Sequence, residues 1–213
     1  LYAKLVKTSS EDETETDKEE TEETEEETGE TYYSDIAAED WFYDAVEYVR
    51  QKGLMVGISE DEFAPDLPLT RGMFVTVLYR IEGTPEVSEE ASFKDVFEGD
   101  WYYEAVKWGD KNDIIFGYSA EEYAPNDRIT REQMAAIIYR YAAYKGINTD
   151  TEGSPDYTDS GSISGYAVPG VKWVSDKGFM QGDPDGAFRP TDNASRAETA
   201  QVIMNVVENL AKV

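Results

Sequence analysis

One pattern is written three times into this chain, and no other feature restricts its fold as strongly. A Gly is followed fourteen residues later by an Arg: Gly57 to Arg71, Gly117 to Arg131, Gly182 to Arg196. An aromatic stands sixteen residues before each Gly (Trp41, Trp101, Tyr166), and a Pro stands six before each Arg (Pro65, Pro125, Pro190). The copies are offset by 60 and then 65 residues. Self-similarity at this period means one supersecondary unit used repeatedly. Three similar surfaces point to repeated binding rather than to a single catalytic centre.

Each copy has the same grammar. It opens on aromatic-x-Asp: Tyr33-Ser34-Asp35, Phe93-Lys94-Asp95, Tyr157-Thr158-Asp159. An amphipathic helix follows, with Phe42, Ala45, Val46 and Val49 on its apolar face in the first copy and Tyr102, Ala105 and Val106 in the second. Gly53 and Gly178 favour a left-handed stop to this helix, and Asn112-Asp113 is the next most tolerant choice. A loop runs from the marker Gly to the marker Pro and carries Phe63, Tyr123 or Phe188. A second, longer helix begins after the Pro. Its stripe reads Phe74, Val77, Leu78, Ile81, then Met134, Ile137, Ile138, Tyr141, then Val202, Ile203, Val206. Three such helices, each apolar along one face, are expected to bury those faces against one another. The reading is a mostly helical, all-α, pseudo-threefold body.

Charge removes whole classes of partner. The chain holds 46 acidic and 19 basic residues, a net of −27. Residues 11–30 alone carry 13 acids and one Lys, and the remainder is still acidic at −15. Such a surface repels nucleic acid and offers no basic stripe to an anionic membrane. No apolar run approaches the roughly 20 residues a helical span needs, so membrane insertion is not expected. The absence of Cys excludes disulfides and thiolate chemistry, and the absence of His removes the commonest general base and metal ligand. No cofactor is implied. A carboxylate pair is the remaining route to catalysis, but among so many acids that signal has no specificity; an enzyme is not expected.

Residues 1–7 alternate apolar and polar like the last strand of a preceding β domain, or form a linker, and the chain reads as part of something longer. Residues 8–32, rich in Thr, Glu, Asp and Ser, are expected to be a disordered acidic spacer. The repeats then occupy 33–90, 91–150 and 151–213.

The most telling position is the start of the second helix: Thr70-Arg71-Gly72-Met73, Thr130-Arg131-Glu132-Gln133, Ser195-Arg196-Ala197-Glu198. A Ser or Thr N-cap with Glu or Gln three later is a capping box, intact in copies two and three and broken by Met73. The Arg is not explained by capping. A cation in the first helical turn opposes the macrodipole, at a cost of a few tenths to about 1 kcal/mol. Three such positions ask for an anion. Either the arginines pair with Asp35, Asp95 and Asp159, or Arg and the free N–H groups of the helix start together grip an external carboxylate or phosphate. Because the arginines lie at helix starts and off the buried stripes, Arg131→Ala is expected to leave folding intact.

Taken together, aromatic-x-Asp, a helix with an early Trp and an Ala-Val pair, Gly before a turn, aromatic-x-Pro and Thr-Arg-x-Glu resemble the S-layer homology (SLH) module. The resemblance covers roughly residues 33–210. It implies a three-pronged spindle of three repeats around a central three-helix bundle, located at the bacterial cell wall or S-layer. It implies grooves between prongs that bind a secondary cell-wall polymer ending in pyruvylated N-acetylmannosamine. A ketal carboxylate suits bidentate capture by a guanidinium, so the resemblance assigns ligand contact to Arg71, Arg131 and Arg196. By position it also carries over Trp41, Trp101 and Tyr166 as sugar platforms or core residues. Gly57, Gly117 and Gly182 carry over as close-approach or turn positions, and Asp35, Asp95 and Asp159 as ligand contacts or braces. The alternative is a module binding other surface-layer proteins or itself.

This sequence departs from the SLH pattern in places. The Asp-Gly-Thr-Phe turn survives only as Asp185-Gly186-Ala187-Phe188; the other copies read Glu60-Asp61-Glu62-Phe63 and Ala120-Glu121-Glu122-Tyr123. Copy three has Tyr166 for Trp, and copy one lacks the Glu of Thr-Arg-x-Glu. Unequal grooves are therefore expected. Asp183-Pro184-Asp185-Gly186 resembles the start of a calcium loop, but Ala194 stands where the twelfth-position Glu would be, so no metal is expected.

Overall fold

In the computed structural model, residues 31–151 and 156–212 are described. The expectations for residues 1–7 and for residues 8–30 of the spacer lie outside them. Thr31 and Tyr32, assigned to the spacer, belong to the folded unit, which begins at Thr31: the Arg50 guanidinium lies 4.1 Å from the Tyr32 ring centroid.

Among the described residues, six α-helices follow one another as short and long in each repeat: α1 (Tyr43–Gln51), α2 (Arg71–Ile81), α3 (Tyr103–Lys111), α4 (Arg131–Tyr144), α5 (Val168–Asp176) and α6 (Arg196–Asn209). Single 3-10 turns lie at Ser160–Ser162 and Leu210–Lys212. There is no sheet among the described residues, only isolated bridges, and the all-α class expected from the sequence holds.

The short helices end where local chemistry stops them. Gly53 and Gly178 take φ of +66° and +72°, and Asp113 takes +55° in the equivalent place. In α1 the next N–H, of Leu54, bonds back to Val49 O at 2.8 Å while Gly53 N bonds to Arg50 O, the double bond that closes a left-handed helix stop. The long helices start on Thr70, Thr130 and Ser195. The capping box is complete in α4 and α6, whereas Met73 leaves α2 only the Thr70 half of it.

The repeats close into a ring. The residue before each N-cap donates its N–H to its counterpart in another repeat: Leu69 to Ala194 O, Ala194 to Ile129 O, Ile129 to Leu69 O, all at 2.9–3.0 Å. From this cycle α2, α4 and α6 run in parallel, and their far ends meet around a cavity of about 320 Å³ lined by Ile81, Tyr141 and Val206. The buried stripes are those expected, with Phe74, Leu78, Ile138 and Ile203 fully enclosed. Their partners differ from the expectation. The most extensive helix packing pairs each long helix with the short helix of the next repeat: α2 with α3, α4 with α5, α6 with α1. The core therefore spreads outward between neighbouring repeats as well as along the axis. Trp108 and Trp173, which the repeat pattern did not single out, are the largest side chains buried there.

Candidate functional site

The three arginines point inward, across the boundary to the next repeat. Arg71 donates from Nε to Tyr123 O and from Nη2 to Phe116 O, both at 2.9 Å. Arg131 bonds Phe188 O at 2.8 Å and Gln181 O at 2.7 Å. Arg196 bonds Phe63 O at 2.7 Å and Val56 O at 2.6 Å. Each guanidinium also lies against the loop aromatic whose carbonyl it holds, 4.5, 5.1 and 4.4 Å from the ring centroids of Tyr123, Phe188 and Phe63. All three residues are buried. Burial pushes the guanidinium pKa of Arg131 and Arg196 down from the ordinary value, with Glu198 opposing it at Arg131 and Tyr33 at Arg196; Arg stays protonated in proteins regardless.

Two expectations are corrected here. The arginines do not pair with Asp35, Asp95 and Asp159, and the helix-start N–H groups are not free. Arg71 N and Gly72 N bond Asp127 O and Pro125 O; Arg131 N and Glu132 N bond Asp192 O and Pro190 O; Arg196 N and Ala197 N bond Leu67 O and Pro65 O. The third N–H of each helix goes to the N-cap hydroxyl. The compensation that the macrodipole demands comes from carbonyl dipoles of the neighbouring repeat. Arg131 also has a structural role on this geometry, because its side chain is buried and joins repeat two to repeat three.

The aspartates hold the other side of the same peptides. Asp35 accepts from Phe63 N and Ala64 N, Asp95 from Tyr123 N and Ala124 N, Asp159 from Phe188 N and Arg189 N, at 2.6–2.9 Å. Ala64, Ala124 and Arg189 take φ near +55° to +60°, a region costly for residues with a Cβ, and the two-oxygen clamp sustains it. At Asp159 burial works to raise the carboxyl, but the N–H groups of Phe188 and Arg189 outweigh it and hold the group below its ordinary value. Each loop aromatic is thus gripped twice: by Asp of its own repeat on N–H, and by Arg of the preceding repeat on C=O.

The marker glycines are explained by space. A Cβ on Gly117 would lie 2.2 Å from Glu122 O and 2.7 Å from Phe93 Cε1, and Gly57 and Gly182 meet equivalent obstacles. The glycine lets the loop fold tightly onto the aromatic of aromatic-x-Asp.

What remains open to solvent is a set of three grooves, each built from all three repeats. Groove A (about 380 Å³) takes Arg71 from repeat one, Phe116, Tyr118 and Arg140 from repeat two, and Tyr166 from repeat three. Groove B (about 470 Å³) takes Arg131 from repeat two, Asp183, Arg189 and Glu198 from repeat three, and Trp41 from repeat one. Groove C (about 380 Å³) takes Arg196 from repeat three, Ile58, Met73 and Arg80 from repeat one, and Trp101 from repeat two. Gly117 and Gly57 line grooves A and C, whereas Gln181 and Asp183 line groove B on either side of Gly182. None of the three aspartates of aromatic-x-Asp lines a groove.

Trp41, Trp101 and Tyr166 precede their helices in turns and are 64%, 59% and 55% exposed, so their rings stand at groove walls and not in the core. The Tyr166 hydroxyl bonds Glu132 Oε1 at 3.1 Å, and Glu132 also takes Ser164 N and Oγ. Burial, then the Glu132 charge, pushes the Tyr166 phenol pKa up, which keeps it a donor.

The sequence reading missed a second cation. Nine residues beyond each marker Arg stand Arg80, Arg140 and Asn205, which donate to Leu54 O, Ile114 O and Phe179 O. Arg80 and Arg140 line grooves C and A, and aligning the copies on the marker Arg would have revealed them nine residues on. Grooves A and C therefore hold two guanidinium groups and no carboxylate among their lining residues. In groove B, Glu198 Oε1 lies 3.3 Å from both Arg131 Nη1 and Arg189 Nη2, and Asp183 pairs with Arg189 at 2.7 Å.

A closed helical ring with repeated, ligand-sized grooves at its seams defines a binding module. The sequence matches the S-layer homology domain over residues 32–72, 92–135 and 156–200. It is 31% identical to an amylopullulanase of Thermoanaerobacterium thermosulfurigenes, across 80% of this chain and 9% of that protein. An endoglucanase of a Bacillus species is also 31% identical, across 84% of this chain and 19% of the relative. A cellulosome-anchoring protein of Acetivibrio thermocellus is 26% identical, across 68% and 33%. The chain thus spans about a tenth to a third of the length of these curated relatives. It belongs to the S-layer homology domain family. Its place is the cell surface, associated with the wall, and its role there is anchoring.

Proposed function

We propose that the chain anchors its parent protein by binding an acidic secondary cell-wall polymer in grooves A and C, through the carboxylate of a pyruvate ketal on N-acetylmannosamine. The observation that carries this reading is the make-up of groove A: two guanidinium groups, no carboxylate, and an exposed aromatic ring beside them. Among the described residues, Arg71 bonds through Nε and Nη2 only, so Nη1 is left for a ligand in the groove it lines. A hydrogen bond to a charged group is worth about 1.5–3 kcal/mol, and the Tyr166 ring supplies a flat apolar face for the sugar. Groove C repeats the plan with Arg196, Arg80 and Trp101.

Titration of the chain with purified wall polymer, before and after chemical removal of the ketal, tests this. Binding is expected to fall about tenfold or more on removal, the loss of about 1.4 kcal/mol or more. Trp101→Ala should weaken binding without lowering the melting temperature, since its ring is largely exposed. Tyr166→Ala should weaken binding too, but it also removes a hydrogen bond to the buried Glu132. Equal affinity for treated and untreated polymer sinks the reading.

One observation favours the second reading, attachment to a surface-layer protein or to another copy. Val56, Ile58 and Phe97 are each more than half exposed, and the first two border groove C. Concentration-dependent self-association, abolished by Ile58→Ser, would move the balance that way.

A further inference from the structure

Groove B keeps the marker Arg and the wall aromatic of A and C but differs in the second cation and in the charges paired with the first. Its second guanidinium is replaced by Asn205, and Gln201 lies beside it, donating to Asn205 Oδ1 at 3.1 Å. Its first, Arg131, has all three of its nitrogen positions engaged: Nε and Nη2 by carbonyls, Nη1 by Glu198. Arg189 is held by Asp183 and Glu198. The groove's two cations are thus matched by two carboxylates belonging to the protein itself, and Glu198 stands where an incoming anion would have to stand. A ligand carboxylate entering there would meet like charge and displace existing pairs, which disfavours it. Yet the groove is the largest of the three, and Trp41, the most exposed of the three wall aromatics, stands over it. An exposed indole face beside carboxylate, guanidinium and amide groups whose charges cancel is complementary to a molecule with one apolar face and many hydroxyls.

We infer that groove B is a site for a neutral sugar unit, with Trp41 as its platform and Asp183, Gln201 and Asn205 as hydrogen-bonding partners. The inference rests on the reading of the grooves as carbohydrate sites and makes them divide the work: A and C hold the acidic end of a polymer, B an uncharged residue of it or of another glycan. Glu198 and Arg189 set this specificity by occupying each other. Asn205 sets it by withholding the cation that Arg80 and Arg140 supply elsewhere.

The test uses the methyl glycoside of N-acetylmannosamine with and without a 4,6-pyruvate ketal, titrated into the full chain and followed by the indole N–H signals of Trp41 and Trp101. The neutral glycoside is expected to shift Trp41, and to do so at about fivefold lower concentration than the ketal. The ketal is expected to shift Trp101. Gln201→Ala should weaken the Trp41 response several-fold with the melting temperature unchanged, and Asn205→Arg should turn groove B toward the ketal. If the ketal moves Trp101 while the neutral glycoside leaves Trp41 untouched, the inference falls and the anchoring reading stands. If neither glycoside moves either indole, both fall. A ketal that binds beside Trp41 as well as it binds beside Trp101 also overturns the inference, because Glu198 would then not be excluding anions.

Discussion

Arg196 reaches carbonyls on Phe63 and Val56, 133 and 140 positions away in sequence, and that distance explains what could and could not be read from the residues alone. Its threefold recurrence, and the misfit of a cation in a first helical turn, were legible. Its partners were not, because backbone carbonyls carry no signature in a sequence, and those that receive Arg196 lie two repeats upstream. The same holds for Asp35, whose two oxygens bond N–H groups of Phe63 and Ala64. A repeated Asp and a repeated Arg suggested a salt bridge to each other; both instead grip one aromatic peptide from opposite sides. Removing Arg196 would leave the buried Phe63 O unpaired, at about 1–3 kcal/mol, and would open Val56 O to the groove. Arg196→Ala should therefore cost about 1–3 kcal/mol in urea unfolding, while Arg196→Lys, which keeps charge and one donor, should cost less. An alanine variant that melts like the parent would show that solvent replaces the guanidinium, and the arginines would again be free to act as ligand groups alone. The practical consequence is that lost binding in an Arg→Ala variant has no single meaning, whereas the exposed Trp101 reports on binding without disturbing the seam.

At the scale of the helix, capping and groove chemistry compete for the same residue. The third position of each long helix is Met73, Gln133 or Glu198; all three side chains line a groove, and Gln133 and Glu198 also complete the N-terminal box. Helix existence, apolar stripes and caps were readable because they depend on residues within one or two turns of each other. The packing partner of each stripe was not, since the closing of the ring decides whether α2 meets α4 or α3. Glu at position 73 would supply the missing half of the box, a gain of about 0.5–1 kcal/mol by analogy with other caps. It would also place a carboxylate in groove C near Arg196, copying what Glu198 does to Arg131. Met73→Glu should thus raise the melting temperature slightly while weakening binding of ketal-bearing polymer severalfold, measured by thermal unfolding and titration on one preparation. A variant improved in both respects would show that the third helix position does not face the ligand, and the distinction between grooves A, B and C would lose its electrostatic basis.

For the whole molecule, the decisive property is closure. A net charge of −27 cannot steer an acidic polymer toward the chain from a distance, so recognition is left to the short-range contacts inside grooves. Every groove needs all three repeats, one for the marker Arg, one for the loop and long helix, one for the aromatic wall. An open solenoid gains stability unit by unit and tolerates loss of an end. Here the backbone cycle through Leu69, Ile129 and Ala194 has no end, and Arg196 and α6 close it onto repeat one. Cutting the chain after residue 151 would remove α5 from α4, α6 from α1, and the carbonyls that hold Arg131. It would expose apolar faces on both remaining repeats, including Val46, Val49, Ala135 and Ile138. Residues 1–151 should therefore lack a cooperative thermal transition and bind no polymer, although groove C would keep Trp101 and Arg80 and groove A would keep Arg71 and Arg140. The intact chain should melt in one step seen identically by far-ultraviolet circular dichroism and by tryptophan fluorescence. Survival of a sharp transition in the truncated chain, with helix content in proportion to its length, would mean that the repeats stand independently and that the ring is a consequence of their folding, not its condition.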